Sequence, residues 1–362
     1  VYNSASDQYL VVWSADHYTD NEYEIFGQRL NAAAEPAGGW FRVSVMGGSA
    51  DPDYDAYNPA VAYNSRDHEY LVVWEGDTTG EGLLDEEFEI WGKLLEGDAD
   101  WIGSDFRLSD MGGLGDPDYD GRDPDVAYNS ADSEYMVIWE GDDRAYDRAN
   151  DEFEIWGQRL NANGWMMGAS DFRISRMGPD DDPDYDAFDP AIAYNSTDNE
   201  YLVVWEGEGK AIEAYDIFGQ RLQANGLQLG ADDFRLSNAG NGWNSAYDAR
   251  NPAVAYDGKN NEYLVVWQDD ELGASEFEIF GQRVNAATGA SIGVDTRLSD
   301  MAPDGDANYD AQTPAVAYSS TNNHQSLVVW SGDNRIDGEF EIWAQRFSSG
   351  WRGYLPLAVR NH

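Results

Sequence analysis

The chain has 362 residues, with 69 acids against 22 bases, a net charge of −47 and no cysteine. Such a field repels nucleic acid and anionic membrane surfaces and suits cations. The missing cysteines exclude disulfides, a thiol nucleophile and thiolate metal sites, and no apolar run approaches the ~18 residues of a membrane span. Apolar residues make up 42% of the chain, enough for a core, and only Lys93, Lys210 and Lys259 are lysines. The chain starts at Val1 rather than Met, which is expected of a processed product or a fragment.

One stretch is written six times. Its tyrosine falls at Tyr2, Tyr63, Tyr128, Tyr194, Tyr256 and Tyr318, and its tryptophan at Trp13, Trp74, Trp139, Trp205, Trp267 and Trp330, at intervals of 61 to 66 residues. A fixed period of this size is the mark of a repeat architecture. In chain order each copy holds four segments: P-A-V-A-Y-N, then E-Y-L-V-V-W, then E-I-F/W-G-Q-R-L, then F-R-L-S. All four have strand composition, with Gly, Asn, Asp and Pro between them, and none shows a helical period. The N-S-T-D-N link of the fourth copy reads as a hairpin turn.

Short antiparallel strands in fours, repeated radially, make a β-propeller. The expected fold is therefore all-β: a six-bladed β-propeller with four antiparallel strands per blade. It forms one domain over 1–362, with blades near 1–46, 59–111, 124–177, 190–238, 252–301 and 314–362. The first strand should line the central channel. The second and third should pack between blades through the six tryptophans and through Ile25/Phe26, Ile90/Trp91, Ile155/Trp156, Ile217/Phe218, Ile279/Phe280 and Ile342/Trp343. Gln345 to Arg360 spans 15 residues, as do Gln158 to Arg173 and Gln220 to Arg235, so YLPLAVR should fill the last fourth-strand slot. An open solenoid is the competing architecture.

The charge is unevenly placed. In an up-and-down blade, the links between blades and the links from second to third strand fall on the same side, and both are acidic. The inter-blade links read DPDYDAYNP from Asp51, DPDYDGRDP from Asp116, DPDYDAFDP from Asp182, NSAYDARNP from Asn244 and DANYDAQTP from Asp306. Alternate carboxylates are how a loop wraps a hard cation with oxygen. The expected metal ligands are Asp51, Asp53 and Asp55; Asp116, Asp118 and Asp120; Asp182, Asp184 and Asp186; Asp248; and Asp306, Asn308 and Asp310. Calcium is the expected ion, and Glu87, Glu89, Glu152 and Glu154 could complete the shells. Asp116 to Gly121 resembles the opening of an EF-hand loop and the calcium loops of integrin-type propellers, although Ala127 stands where an EF-hand has its last Glu. Solvated turn-forming aspartates, or a surface adapted to high salt, are the competing readings.

No catalytic constellation stands out. Sialidases resemble this chain in fold, but Ser65-Arg66-Asp67 and Ser196-Thr197-Asp198 lack the rest of an Asp-box. Arg42, Arg107, Arg173, Arg235, Arg297 and Arg360 recur on the fourth segment, and Arg29, Arg159, Arg221, Arg283 and Arg346 on the third, which argues for structural ion pairs. His17, His68, His324 and His362 are not equivalently placed. Carboxylates suitable for acid–base work are too abundant to single out a pair. The non-repeating Trp101, Trp165 and Trp351 are weak candidates for ligand contact, because exposed aromatics stack on sugars or bury in partners.

Asn58-Pro59-Ala60-Val61-Ala62-Tyr63-Asn64 and Ile217-Phe218-Gly219-Gln220-Arg221-Leu222 are similar to the repeats of secreted bacterial propeller proteins, mostly of unassigned function. The tail from Tyr354 to Arg360 is similar to the endings of exported proteins from filamentous green non-sulfur bacteria. The resemblance implies export and cell-surface placement, and supplies no catalytic residues. The leading functional expectation is a non-enzymatic, calcium-binding extracellular module for adhesion, carbohydrate binding or surface structure. Its partners would be a glycan, a surface protein or further copies of itself. The alternative is a glycan-active hydrolase or lyase with its site at the central channel.

Overall fold

The computed structural model describes the chain except residues 18–20, 47–52, 79–82, 85, 114, 144–151, 180–183, 209–214, 238–246, 271–275, 302–308, 321–323, 334–339, 348–356 and 360–362. Each sequence copy folds into one four-stranded antiparallel sheet with its strands in chain order, and the fold is an all-β six-bladed β-propeller. Two compact units divide the chain. The first holds Val1–Ile174 and Pro179–Pro183, and the second holds Ser175–Gly178 and Asp184–His362. Each unit carries three blades. Among the described residues no helix is long and apolar enough to cross a membrane.

The second strands explain why aliphatic and aromatic residues run together in every copy. A strand covered on both faces has no polar alternation to keep. In the first unit, Tyr70, Val72 and Trp74 pack toward Leu10 and Ile25 of the preceding blade. The alternate residues Leu71 and Val73, with Ile90, pack toward Tyr135, Val137 and Trp139 of the next. The second unit repeats this: Leu202, Val204 and Ile217 meet Tyr263, Val265 and Trp267, and Leu264, Val266 and Ile279 meet Val328 and Trp330. Each such side chain contributes roughly 1.5–3 kcal/mol by leaving water. The repeated tryptophans are core, as expected, with Trp13 half-buried; of the third-strand pairs, Ile342 is the exposed exception.

The first strands begin earlier than the sequence pattern suggests. They are Ala56–Asn64, Gly121–Asn129, Ala187–Asn195, Ala249–Asp257 and Ala311–Ser319, each starting three residues before its proline. The strand crosses the proline through a bulge, seen as a register shift between Tyr57 and Ala60 and at the matching positions. The residue before each proline takes a left-handed conformation: Asn58, Asp123, Asp189, Asn251 and Thr313 have φ between 45° and 51°. Proline cannot donate to a ladder, and a bulge removes the need. In the last blade, Leu357–Val359 pairs with the third strand, Val359 opposite Ile342, in the slot expected for it.

The F-R-L-S segment is a clamp on the acid that opens the third strand. Ser44, Ser109, Ser237 and Ser299 donate their hydroxyls to the buried carboxylates of Glu24, Glu89, Asp216 and Glu278. The same hydroxyls accept the backbone N–H of Ile25, Ile90, Ile217 and Ile279 at 2.6–2.8 Å. Arg42, Arg107, Arg173, Arg235 and Arg297 pair with that opening acid from the neighbouring strand. The third-strand arginines pair with the acid that opens the second strand: Arg159 with Glu134, Arg221 with Glu200 and Arg283 with Glu262, each at 2.5 Å. Repetition of arginine thus marks structure, as expected; Arg360 lies outside the described residues.

The outermost strands are kinked. Gly103, Gly168, Gly230 and Gly293 sit within them at φ between 74° and 96°. Beside each, the pairing with the third strand loses register.

Arg297→Met leaves the buried Glu278 without its counter-charge. It is expected to lower stability by about 3–5 kcal/mol in urea unfolding. A cost near zero would mean that the hydrogen bonds from Ser299 and Met301 hold the carboxylate alone.

Candidate functional site

The last aspartate of each D-x-D-x-D link is a staple across the joint between two blades. Its backbone N–H donates to an aspartate just past the second strand of its own blade: Asp55 to Asp77, Asp120 to Asp142, Asp248 to Asp270 and Asp310 to Asp333, at 2.6–2.9 Å. Its Oδ1 accepts a backbone N–H from the approach to the preceding blade's third strand. The donors are Tyr23 to Asp55, Phe88 to Asp120, Tyr215 to Asp248 and Phe277 to Asp310, at 2.7–3.1 Å. Its Oδ2 takes the side chain two residues on: Tyr57, Arg122, Arg250 or Gln312. These bonds join the two acidic sets of links on one side of the strands, as deduced from topology.

The expected metal ligands therefore separate. Asp55, Asp120, Asp248 and Asp310 are stapled, and Asp186 lends its carbonyl to Glu208 at 2.9 Å. Asp53, Asp118 and Asp184 are exposed and Asp116 is half-buried. Asp51, Asp182, Asp306 and Asn308 lie outside the described residues, as does Trp351. Glu87 is wholly buried and caps Leu84 and Gly115, while Glu89 belongs to the clamp. Trp101 lies under the ammonium of buried Lys93 at 3.7 Å and donates to the Arg42 carbonyl at 3.2 Å. Trp165 is 71% exposed at its hairpin tip.

A different register breaks the repeat symmetry. The residue before each first-strand proline reads Asn58, Asp123, Asp189, Asn251, Thr313, and the second-strand residue opposite the position just ahead of it reads Glu75, Glu140, Glu206, Gln268, Ser331. Carboxyl pairs occur in the third and fourth blades alone among these five. Asp123 and Glu140 bring oxygens within 4.8 Å in the first unit, a spacing that a hard cation can bridge. In the second unit Asp189 and Glu206 are joined by a hydrogen bond. The second-strand residue also caps the next blade's left-handed residue: Glu75 accepts from the Asp123 N–H, Glu206 from Asn251 and Gln268 from Thr313, at 2.7–2.9 Å. Sequence reasoning treated acids as too abundant to choose among. The residue just before each proline, compared copy by copy, was the available signal.

Electrostatics set this pair apart. Burial, then the charge of Asp189, pushes Glu206 up to about 8, and burial raises Asp189 as well. Adjacent carboxylates resist double ionisation, which adds to burial in holding Glu206 up. The Arg250 guanidinium lies 3.5 Å from Glu206 and 3.2 Å from Asp248, stacked 3.8 Å over the Tyr215 ring. Arg122 holds the matching place in the first unit, 5.1 Å over Phe88.

No family model matches the chain, and no curated protein does. Solved structures do. A thermostable family-43 glycoside hydrolase matches at 12% identity and a TM-score of 0.47, over 88% of this chain and 95% of its own. An N-acetylgalactosamine deacetylase from F. plautii, in complex with blood group B trisaccharide, matches at 12% identity and 0.46, over 88% and 86%. An endo-arabinase from Bacteroides thetaiotaomicron matches at 12% and 0.46, over 81% and 94%. Likeness at this level assigns no residue a role.

Two thermal predictions follow from the acids. Burial raises Glu24, Glu75, Asp120, Asp270 and Glu278, and takes Asp171 to about 6 and Glu89 to about 8. The folded state then holds protons that the unfolded chain releases, so stability falls as pH rises from the ordinary carboxylate range through about 8. In chelator, Tm at pH 5.5 is expected to exceed Tm at pH 8.5, in the sense set by these raised groups; the reverse order would refute it. The second concerns the exposed aspartates of the links. Calcium is expected to restore the Tm of chelated protein where sodium chloride does not; equal rescue by both would leave charge screening as the explanation.

Proposed function

We propose that the protein is a glycan-active hydrolase whose proton donor is Glu206, paired with Asp189 on the inner strands of the fourth blade. The observation that supports this reading is the carboxyl pair itself. It departs from the repeat, and burial together with the charge of Asp189 pushes Glu206 up to about 8. Splitting an acetal requires a proton on the leaving oxygen, and a carboxylic acid held neutral at working pH supplies it. Glu206 gives its proton to the glycosidic oxygen as the carbon–oxygen bond breaks. Water then adds hydroxyl to the sugar carbon and returns a proton. A hydrogen-bonded pair is too close to straddle a sugar ring, which takes about 5–9.5 Å between carboxyl groups. Asp189 therefore acts on Glu206 rather than on the sugar. A polymeric glycan substrate is met outside the cell, and export is what the resemblance of the repeats implies.

The test is reducing-end release from a panel of neutral, acidic and amino polysaccharides. Glu206→Gln is expected to lower kcat about 10²–10⁴-fold while binding persists. Absence of turnover across the panel, or an E206Q variant as active as the parent, would sink the proposal.

A further inference from the structure

We propose that copies of this chain join end to end, the trailing face of the sixth blade seated on the leading face of the first blade of the next copy. Each blade has two apolar faces. The leading face carries the tyrosine, valine and tryptophan of the second strand and packs on the blade before. The trailing face carries the leucine and valine that alternate with them, with the isoleucine of the third strand, and packs on the blade after. Thus Tyr70, Val72 and Trp74 meet Leu10 and Ile25 in the first unit. Leu264, Val266 and Ile279 meet Val328 and Trp330 in the second. The joints between the second and third blades and between the fourth and fifth obey the same rule.

Two faces of these kinds are uncovered. On the leading face of the first blade, Tyr9 and Val11 are 41% and 44% exposed and Trp13 is half-buried. On the trailing face of the sixth, Leu327 and Ile342 are 44% and 54% exposed and Val329 is half-buried. Their equivalents in the covered joints, Tyr70, Val72, Leu264 and Ile279, are at most 3% exposed. Apolar side chains left together on a surface mark a place where something docks.

The occupant is set by the four covered joints, in each of which a leading face is covered by a trailing face. A second copy of the chain presents each exposed face with a partner of that kind. The contact is heterologous, since each copy gives one surface and receives on another, so it propagates into a ring or a chain of copies. The net charge of −47 opposes it, because every copy repels every other. Salt screens that repulsion and leaves apolar contact intact, so association strengthens with ionic strength. A contact held by ion pairs would weaken instead.

The experiment is sedimentation velocity on the full chain over about two decades of concentration, in low and in high sodium chloride. Val11→Lys blocks one face and Leu327→Lys the other, and lysine adds nothing to the negative charge. Both positions are exposed, so each variant is expected to keep the parent's circular dichroism and Tm. The mean mass of the parent should climb past the dimer with concentration, and further in high salt. Each variant alone should associate at least about a hundredfold more weakly, because every joint needs both faces. Mixed, the two should form a dimer and nothing larger, since the mixture holds one sound face of each kind. A parent that stays monomeric at every concentration and salt overturns the inference. So do variants that associate as the parent does, or a mixture that yields no dimer.

Discussion

Each joint between blades within a unit depends on one aspartate that bonds in two directions. Its backbone and side chain tie the incoming first strand to its own blade's second strand and to the preceding blade's third. An amide N–H at a strand end must find a partner or lose about 1–3 kcal/mol if buried. The carboxylate supplies that partner across a gap that no ladder spans. Apolar packing draws neighbouring blades together without direction. The staple and the Ser–Arg clamp fix their register.

This changes what the net charge means. A chain with 69 acids looks like a chain with a solvated acidic coat. Many of those acids are inside. Glu24, Glu87, Glu89, Glu154, Glu206, Asp216 and Glu278 are buried, and each answers a backbone N–H, a serine hydroxyl or a guanidinium. Ionised groups in such places need full hydrogen bonding, and where it falls short the proton returns. The arginines are spent the same way, so both charge types serve the interior.

The sheet pattern was legible because it repeats. Six tryptophans at intervals of 61 to 66 residues, flanked by β-branched residues, fix strand, face and blade together. The last fourth strand could be placed by counting from Gln345. The first strands were read too short, because a proline looks like a strand's start. A left-handed residue before it lets the strand run through, and the Asn or Asp that stands there in four copies is the trace it leaves in the sequence. The candidate site was hidden for a related reason. Asp189 stands three residues after Asp186, and by residue type the two look alike. Asp186 lends its carbonyl to Glu208, and Asp189 is hydrogen-bonded to Glu206. Only the strand register, which sets Phe188 opposite Glu206 and leaves Asp189 in the bulge beside that pair, tells them apart.

The glycines that kink the outermost strands have a consequence for solubility. An unpaired strand edge is a template for another chain, and blades rich in Val, Tyr and Trp invite sheet-to-sheet growth. Left-handed turns at Gly103, Gly168, Gly230 and Gly293 break the straight run of amides that a foreign strand would need. Repeat duplication multiplies exposed edges along with blades. A kink copied with every blade makes each new edge self-terminating, so such a chain can lengthen without becoming a seed for fibres.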